Sequence, residues 1–202
     1  MEKIRVSKKQ GGIVEALKGA ILSGDIPSGT EMTQNELAES LGVSRMPVRE
    51  ALILLEYQGL VERLPNNHIK AAEFSAEYFE EIFKLCGNLE CRALKHCYSQ
   101  KEENTEYMQM FTDELEFHRK IYEICPFGLQ KKLLETMTEI YVSFVIDSMF
   151  YHKSDRKKLL DQIYKVAFES AESAKKKDAE IQKLFEQYYS VFPEIMMKVR
   201  NK

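Results

Sequence analysis

Apolar residues recur at helical spacing along most of the chain. Ile13, Leu17, Ile21 and Leu22 share one face of a first helix, which Gly24 ends. Residues 26–30 make a turn into a short strand or straight step near Met32. Leu37 and Leu41, with the small Ala38 between them, stripe a second helix, and Val48, Leu52 and Leu55 stripe a third. The period then changes. Residues 60–64 alternate as a short strand does, residues 69–74 can pair with them, and Pro65-Asn66-Asn67-His68 forms the hairpin tip.

Beyond Ser75 strand signals almost vanish. The spacing predicts a helix over 76–98 with Phe79, Phe83, Cys86, Leu89, Ala93 and Cys97 inward, then a polar break over 100–104. A second runs over 106–124 with Phe111, Leu115, His118 and Tyr122 on its stripe, until Pro126 and Gly128. A third spans 129–151 through Leu133, Met137, Ile140, Phe144 and Met149. Ser154 and Asp155 open a fourth through Leu159, Ile163, Val166 and Ser170, and Lys175 to Lys177 suit its C-terminal dipole. Asp178 opens a fifth through Ile181, Phe185, Tyr188 and Phe192, which Pro193 breaks, leaving a short final turn. The expected fold is mainly α, with a winged helix-turn-helix over 1–74 and an all-helical bundle over 75–202.

The chemistry of the first domain is concentrated in residues 33–59. Thr33 and Glu36 form a T-x-x-E capping box at a helix start. Gly42 permits the positive φ of a tight turn, and Val43 is its buried residue. Ser44 caps the next helix, whose first turn carries Arg45, Met46 and Pro47; proline fits there because first-turn amides have no intrahelical partner. Arg45 and Arg49, four residues apart, lie on the face opposite the apolar stripe. Such a helix pair is a helix-turn-helix, and its second helix enters the DNA major groove by its N-terminal end. The candidate DNA-binding residues are Thr33, Asn35, Ser44, Arg45, Met46, Pro47 and Arg49, with Asn67 and His68 on the wing.

Composition changes this picture little. A chain of 202 residues, 44% hydrophobic, suits one large or two small domains. Its net charge of -3 means that DNA binding rests on where charges are placed. Lys3, Arg5, Lys8 and Lys9 make the N-terminus a basic arm suited to phosphates. Cys86, Cys91, Cys97 and Cys125 include no C-x-x-C pair, which excludes a zinc knuckle and a thioredoxin-type motif and leaves small buried thiols in a cytoplasmic protein. No signal peptide or membrane-spanning run is visible.

The N-terminal motif resembles that of GntR-type transcription regulators. The resemblance rests on Ile21, Gly24, Ile26, Pro27, Gly29, Glu36 to Ala38, Leu41 to Arg45, Pro47 to Leu52, Leu55 and Gly59 to Val61, and covers roughly the first 75 residues. It implies that Arg45 and Arg49 read guanines. Wings of that family usually carry glycine where this chain has His68. The order of domains, with Leu115-Glu116-Phe117-His118 and Glu90, is similar to FadR-like proteins, whose helical effector domain is called FCD; the domain here is shorter than in many of them.

That second resemblance implies an effector site with one carboxylate and three histidines around a metal that clamps an organic acid. Glu114 and His118 stand at i and i+4 as the first two ligands. The remaining positions fall near Ala167 and Tyr189, which supply no imidazole, and the arginine that often accompanies the site is Cys86. Two protein ligands rarely hold zinc or nickel against water and cellular chelators, so no metal or other cofactor is expected. His118 is then a core histidine satisfied by Glu114 or a tyrosine. A cavity without metal would be lined by Tyr141, Tyr164, Tyr188 or Tyr189, and the candidate effector-binding residues are Glu114, His118, Tyr141 and Tyr189. An enzyme built on Glu114 and His118 lacks a visible nucleophile–base–orienter set and a phosphate-binding glycine loop. The expectation is a ligand-responsive regulator, a repressor that binds a palindromic operator in double-stranded DNA as a homodimer. Its helical domain either senses an unknown small molecule or only dimerises.

Overall fold

A computed structural model of the chain describes residues 10–99, 108 and 111–202. The basic arm at Lys3, Arg5, Lys8 and Lys9, the polar break over 100–104 and the expected helix start at 106 lie outside the described residues. The chain divides into two compact units: one runs to Ser75 and includes Val199–Lys202, and the other is Ala76–Lys198.

In the first unit, α1 (Gln10–Ser23) packs on α3 (Arg45–Tyr57), with α2 (Gln34–Leu41) against α3. Ile13, Leu17, Ile21 and Leu22 from α1 meet Leu37, Val48, Leu52 and Leu55 in one dry core. Strands β1 (Glu31–Met32), β2 (Val61–Arg63) and β3 (Ile69–Ala71) form an antiparallel sheet in the order β1-β3-β2. Arg200 closes the far end of α1. Its guanidinium donates to the carbonyls of Ile21 at 2.7 Å and Leu22 at 3.1 Å, donates to Ser28 Oγ at 2.8 Å and lies over the Phe74 ring. These carbonyls have no intrahelical donors, and a cation suits a helix C-terminus.

Among the described residues the elements of the second unit are all helices: α4 (Ala76–Ser99), α5 (Glu114–Ile124), α6 (Gly128–Met137), α7 (Ser143–Ile146), α8 (Lys153–Tyr164), α9 (Ala174–Tyr189) and α10 (Phe192–Arg200), whose last two residues group with the first unit. α4 packs on α9, and α5 and α6 pack on α4. Single π turns follow α6 at Thr138–Val142 and α8 at Lys165–Glu169.

Several predicted faces are rotated. On α4, Glu90 and Leu94 are buried while Leu89 is half-exposed. On α5 the inward residues are Glu114, Phe117, His118 and Ile121, rather than Leu115 and Tyr122. The α4 face is otherwise as predicted, with Phe79, Phe83, Cys86, Ala93 and Cys97 buried, whereas on α5 Glu114 takes an inward position that apolar periodicity does not mark. The predicted helix over 129–151 ends at Ile146, and Leu133 and Met149 are exposed. Apolar residues surround that helix on most sides, and the π turn adds a residue to one turn, so a fixed period cannot follow its buried face. Leu160, Tyr164 and Ala167 are buried in the fourth segment where Leu159 and Val166 were expected. Lys175 to Lys177 lie in the first turn of α9 rather than at the end of the preceding helix, although Lys177 Nζ still donates to Ala167 O at 3.2 Å. Pro193 sits in the first turn of α10, where it starts a nine-residue helix instead of a final turn.

Candidate nucleic-acid interface and buried polar cluster

The turn between α2 and α3 follows local rules. Glu36 N donates to Thr33 Oγ1 at 3.2 Å and Thr33 N donates to Glu36 Oε2 at 2.7 Å, so the capping box is reciprocal. These bonds hold the Glu36 carboxyl below its ordinary range. Gly42 takes the left-handed conformation at φ 66°, and its N–H and that of Val43 satisfy the last carbonyls of α2. Ser44 holds the extended N-cap conformation of α3 but makes no side-chain cap bond, leaving its hydroxyl uncommitted there.

Arg45, Met46 and Arg49 are exposed on the first turns of α3, with Pro47 half-buried between them. Other cations of this unit are tied up: Lys18 to Glu15, Arg63 to Glu56, Lys70 to Glu73 and Arg200 to α1. Arg45 and Arg49 make no hydrogen bond or ion pair with a described residue. Their five-donor guanidiniums remain available to an acceptor outside the fold. Asn35 is exposed on the first turn of α2, whereas the Thr33 hydroxyl donates to Glu36.

In the wing, Asn67 N donates to Leu64 O at 2.9 Å and Leu64 N donates to His68 O at 2.9 Å. Pro65 follows Leu64, as suits a tight turn, and Asn66 Oδ1 accepts from His68 N. The left-handed residue is Asn67, at φ 62°. The position that favours glycine therefore falls one residue before His68. His68 is half-exposed, with its Nδ1 3.7 Å from Glu31 Oε2.

The second unit buries a polar cluster. His118 is 1% exposed, Glu90 0% and Glu114 5%, so each polar atom there needs a partner. His118 Nδ1 lies 2.6 Å from Glu90 Oε1 and its Nε2 lies 3.0 Å from the Tyr188 hydroxyl. Tyr188 donates to Glu114 Oε2 at 3.2 Å, Tyr151 donates to the same oxygen, and Tyr189 donates to Glu90 Oε2 at 2.9 Å. Cys86 Sγ is 3.3 Å from the Tyr189 hydroxyl. The Tyr188 hydroxyl stands between His118 Nε2 and Glu114 Oε2 and links the two.

Burial pushes the phenols of Tyr188 and Tyr189 well above their ordinary range, and neighbouring acids push them the same way. Burial, followed by the bond to Glu114, does the same to Tyr151. These groups stay protonated donors, whereas a metal ligand must give up its proton. The residues present do not fit a carboxylate and three histidines. Both nitrogens of His118 are engaged, Ala167 carries no donor, and Tyr189 brings a protonated phenol. Among the described residues no group of three or more His, Cys, Asp or Glu is placed to hold an ion.

Of the four residues assigned to an effector cavity, Glu114, His118 and Tyr189 meet in this cluster. Tyr141 does not: its hydroxyl pairs with Tyr78 at 2.7 Å, on a π turn. Tyr164 is buried beside Phe168, away from the cluster's hydrogen bonds. The expected partner of His118 was Glu114 or a tyrosine; it bonds a tyrosine, Tyr188, and its carboxylate partner is Glu90 rather than Glu114. A legible signal for Glu90 was a carboxylate at helical spacing from Phe83, Cys86, Leu94 and Cys97. Tyr151 lies between helices and carried no such signal.

The first unit has the architecture of a winged helix-turn-helix DNA-binding domain. Residues 9–69 match the model for bacterial regulatory proteins of the gntR family. Among curated relatives, an uncharacterised HTH-type transcriptional regulator of Bacillus subtilis, YdhC, is 28% identical over 147 residues, 73% of this chain and 62% of its own. One from the TAR-I ttuE-ttuC' intergenic region of Agrobacterium vitis is 37% identical over 75 residues, 37% of this chain and 44% of its own. The chain thus spans less than two thirds of these relatives. In fold it is similar to Lar, described as controlling expression of the Listeria monocytogenes agr system, at TM-score 0.63 and 19% identity over 96% of this chain and 99% of that one. It is also similar to McbR/YncC of E. coli, at TM-score 0.55 and 15% identity over 94% and 97%. Both solved structures share the mainly helical fold. Among the described residues no helix is long and apolar enough to cross a membrane.

Proposed function

We propose that the protein is a transcription regulator of gntR type, a cytoplasmic repressor that binds a palindromic operator as a homodimer and releases it when a small molecule occupies the helical unit. The observation that carries the DNA-binding reading is the pair of uncommitted guanidiniums at Arg45 and Arg49 on the exposed start of α3. An arginine that bonds a guanine edge with two donors contributes about 1–3 kcal/mol of discrimination. Ser44, Met46 and Pro47 flank them, Asn35 and Thr33 stand on the α2 start, and Asn67 and His68 on the wing reach the same duplex. The test is a mobility-shift assay on an operator selected from random DNA. Arg45→Ala and Arg49→Ala each lose preference for that operator while keeping the helical content of the wild type. Wild-type operator binding by either variant rejects the reading.

The helical unit belongs, on this reading, with FCD-type sensor domains whose metal chemistry has been replaced by hydrogen bonding. A second reading makes that unit a dimerisation module alone. The closed Glu90–His118–Tyr188–Glu114 network favours it, since none of these polar groups is left over for a ligand. A thermal-shift screen against metabolites separates the two: a pure dimerisation module shows no saturable stabilisation.

A further inference from the structure

The helical unit holds an open cleft of about 800 Å³ between α4 and the pair α9 and α10, on a different side of Tyr189 from the polar cluster. Its volume is that of a small-molecule site. The floor is aromatic: Phe83 and Tyr189 stack at 5.7 Å between ring centroids, and Phe185 stacks on Tyr189 at 6.3 Å. Gly87 lets α4 pack closely on α9 at the base of the cleft, since a Cβ there would stand 3.3 Å from Phe185 and from Tyr189.

The rim is acidic. Glu80 makes no hydrogen bond or ion pair with a described residue, and Glu186 accepts only from the neutral Gln182 at 3.1 Å. Glu194 is neutralised by Lys198, and Lys84, the one basic side chain on the lining, bonds Glu81 outside it. Lys84 also attracts Glu80, but the three carboxylates of the lining outnumber its one cation, and an acidic rim above an aromatic floor selects a ligand that is apolar in body and positive in charge. Aromatic faces attract a cation as well as an apolar surface. An organic acid, by contrast, would meet repulsion at the rim.

We infer that this cleft is the effector site and that its ligand is a small lipophilic cation. The inference rests on the ligand-responsive reading above. Tyr189 links the cleft to the interior, because its ring forms the floor while its hydroxyl bonds Glu90 and lies 3.3 Å from His118 Nδ1. The ring is 3% exposed and stacked between neighbours, so a ligand in the cleft acts on the buried cluster through the packing of Phe83, Phe185 and Tyr189. Glu114 and His118 then respond to the ligand without touching it.

The test is calorimetry on the full chain with tetraphenylphosphonium as probe and tetraphenylborate, of the same shape and opposite charge, as control. The expected result is saturable binding of one phosphonium per chain, weakened at least tenfold by Glu80→Lys and unchanged by Glu180→Lys, an exposed site on α9 outside the cleft. Equal binding of the borate, or an unaltered isotherm in Glu80→Lys, overturns the inference. So does absence of saturable binding, including the case in which Glu80→Lys turns a dimer into a monomer by light scattering, which assigns the cleft to a second copy of the chain. Operator affinity measured in parallel separates the two readings. Phosphonium binding that leaves operator affinity unchanged supports the cation site and removes its role as effector site, whereas an operator response to a different ligand with no phosphonium binding removes the cleft inference alone.

Discussion

At the scale of single residues, the second unit is governed by how His118 is satisfied. Its ring bonds Glu90 at 2.6 Å and Tyr188 at 3.0 Å in a site closed to water. Removing one partner leaves a buried polar group without its hydrogen bond, at a cost of about 1–3 kcal/mol. His118→Ala should therefore lower the unfolding free energy by that amount in a urea titration, because Glu90 keeps only the Tyr189 hydroxyl. A loss below about 1 kcal/mol would mean that water or a rotamer change rescues the carboxylate. The same bonds decide the metal question. His118 has no free nitrogen, and its neighbours are protonated phenols. Purified protein should contain well under one equivalent of zinc, nickel or manganese by elemental analysis, and chelator should leave its melting temperature unchanged. A stoichiometric ion, lost in His118→Ala, would place the missing ligands elsewhere in the chain.

At the scale of elements, the units depend on how helix ends are tied. The start of α9 is fastened to the end of α4 through Asp178, which accepts from Lys95 Nζ and from the Tyr98 hydroxyl. Burial raises the Asp178 carboxyl, but the bonds from Lys95 and Tyr98 outweigh it and hold the group below its ordinary value of 3.8. The sign follows directly. A depressed folded-state value adds stability that is fully present above the unfolded value and is lost as the pH falls through the folded one. The stability difference between wild type and Asp178→Asn should be constant from neutral pH down to about 4 and should shrink below that. A difference that grows on acidification would show that the bonds do not favour the charged form. The same logic of ends explains Arg200, which satisfies the last carbonyls of α1 from a position far away in sequence.

At the scale of the whole molecule, one winged helix reads too few base pairs to select a site in a genome, and a two-fold pair reads a palindrome. The apolar surface for such a pair is present. Leu85 on α4 and Leu129 and Leu133 on α6 are 47%, 77% and 42% exposed, on helices joined where Gln130 Nε2 donates to Leu89 O. Light scattering at micromolar concentration should give twice the chain mass, and Leu129→Glu with Leu133→Glu should give a monomer with lowered operator affinity. A wild-type monomer that still binds its operator would contradict the homodimer.

What the sequence determined by itself is local. The capping box at Thr33 and Glu36, the left-handed turn at Gly42, the solvent-facing Arg45 and Arg49 and the hairpin around Asn66 and Asn67 each depend on residues a few positions apart. Backbone sterics and nearest-neighbour hydrogen bonds were enough to read them. Tertiary structure alone decided the second unit's interior. Glu90 and Glu114 turn inward, against the rule that carboxylates face water, because His118, Tyr151, Tyr188 and Tyr189 arrive from other helices and loops to receive them. The two π turns rotate buried faces by increments that no fixed period contains. The cleft over Tyr189 exists only where α4, α9 and α10 leave a gap, and that gap depends on the packing of residues a hundred positions apart.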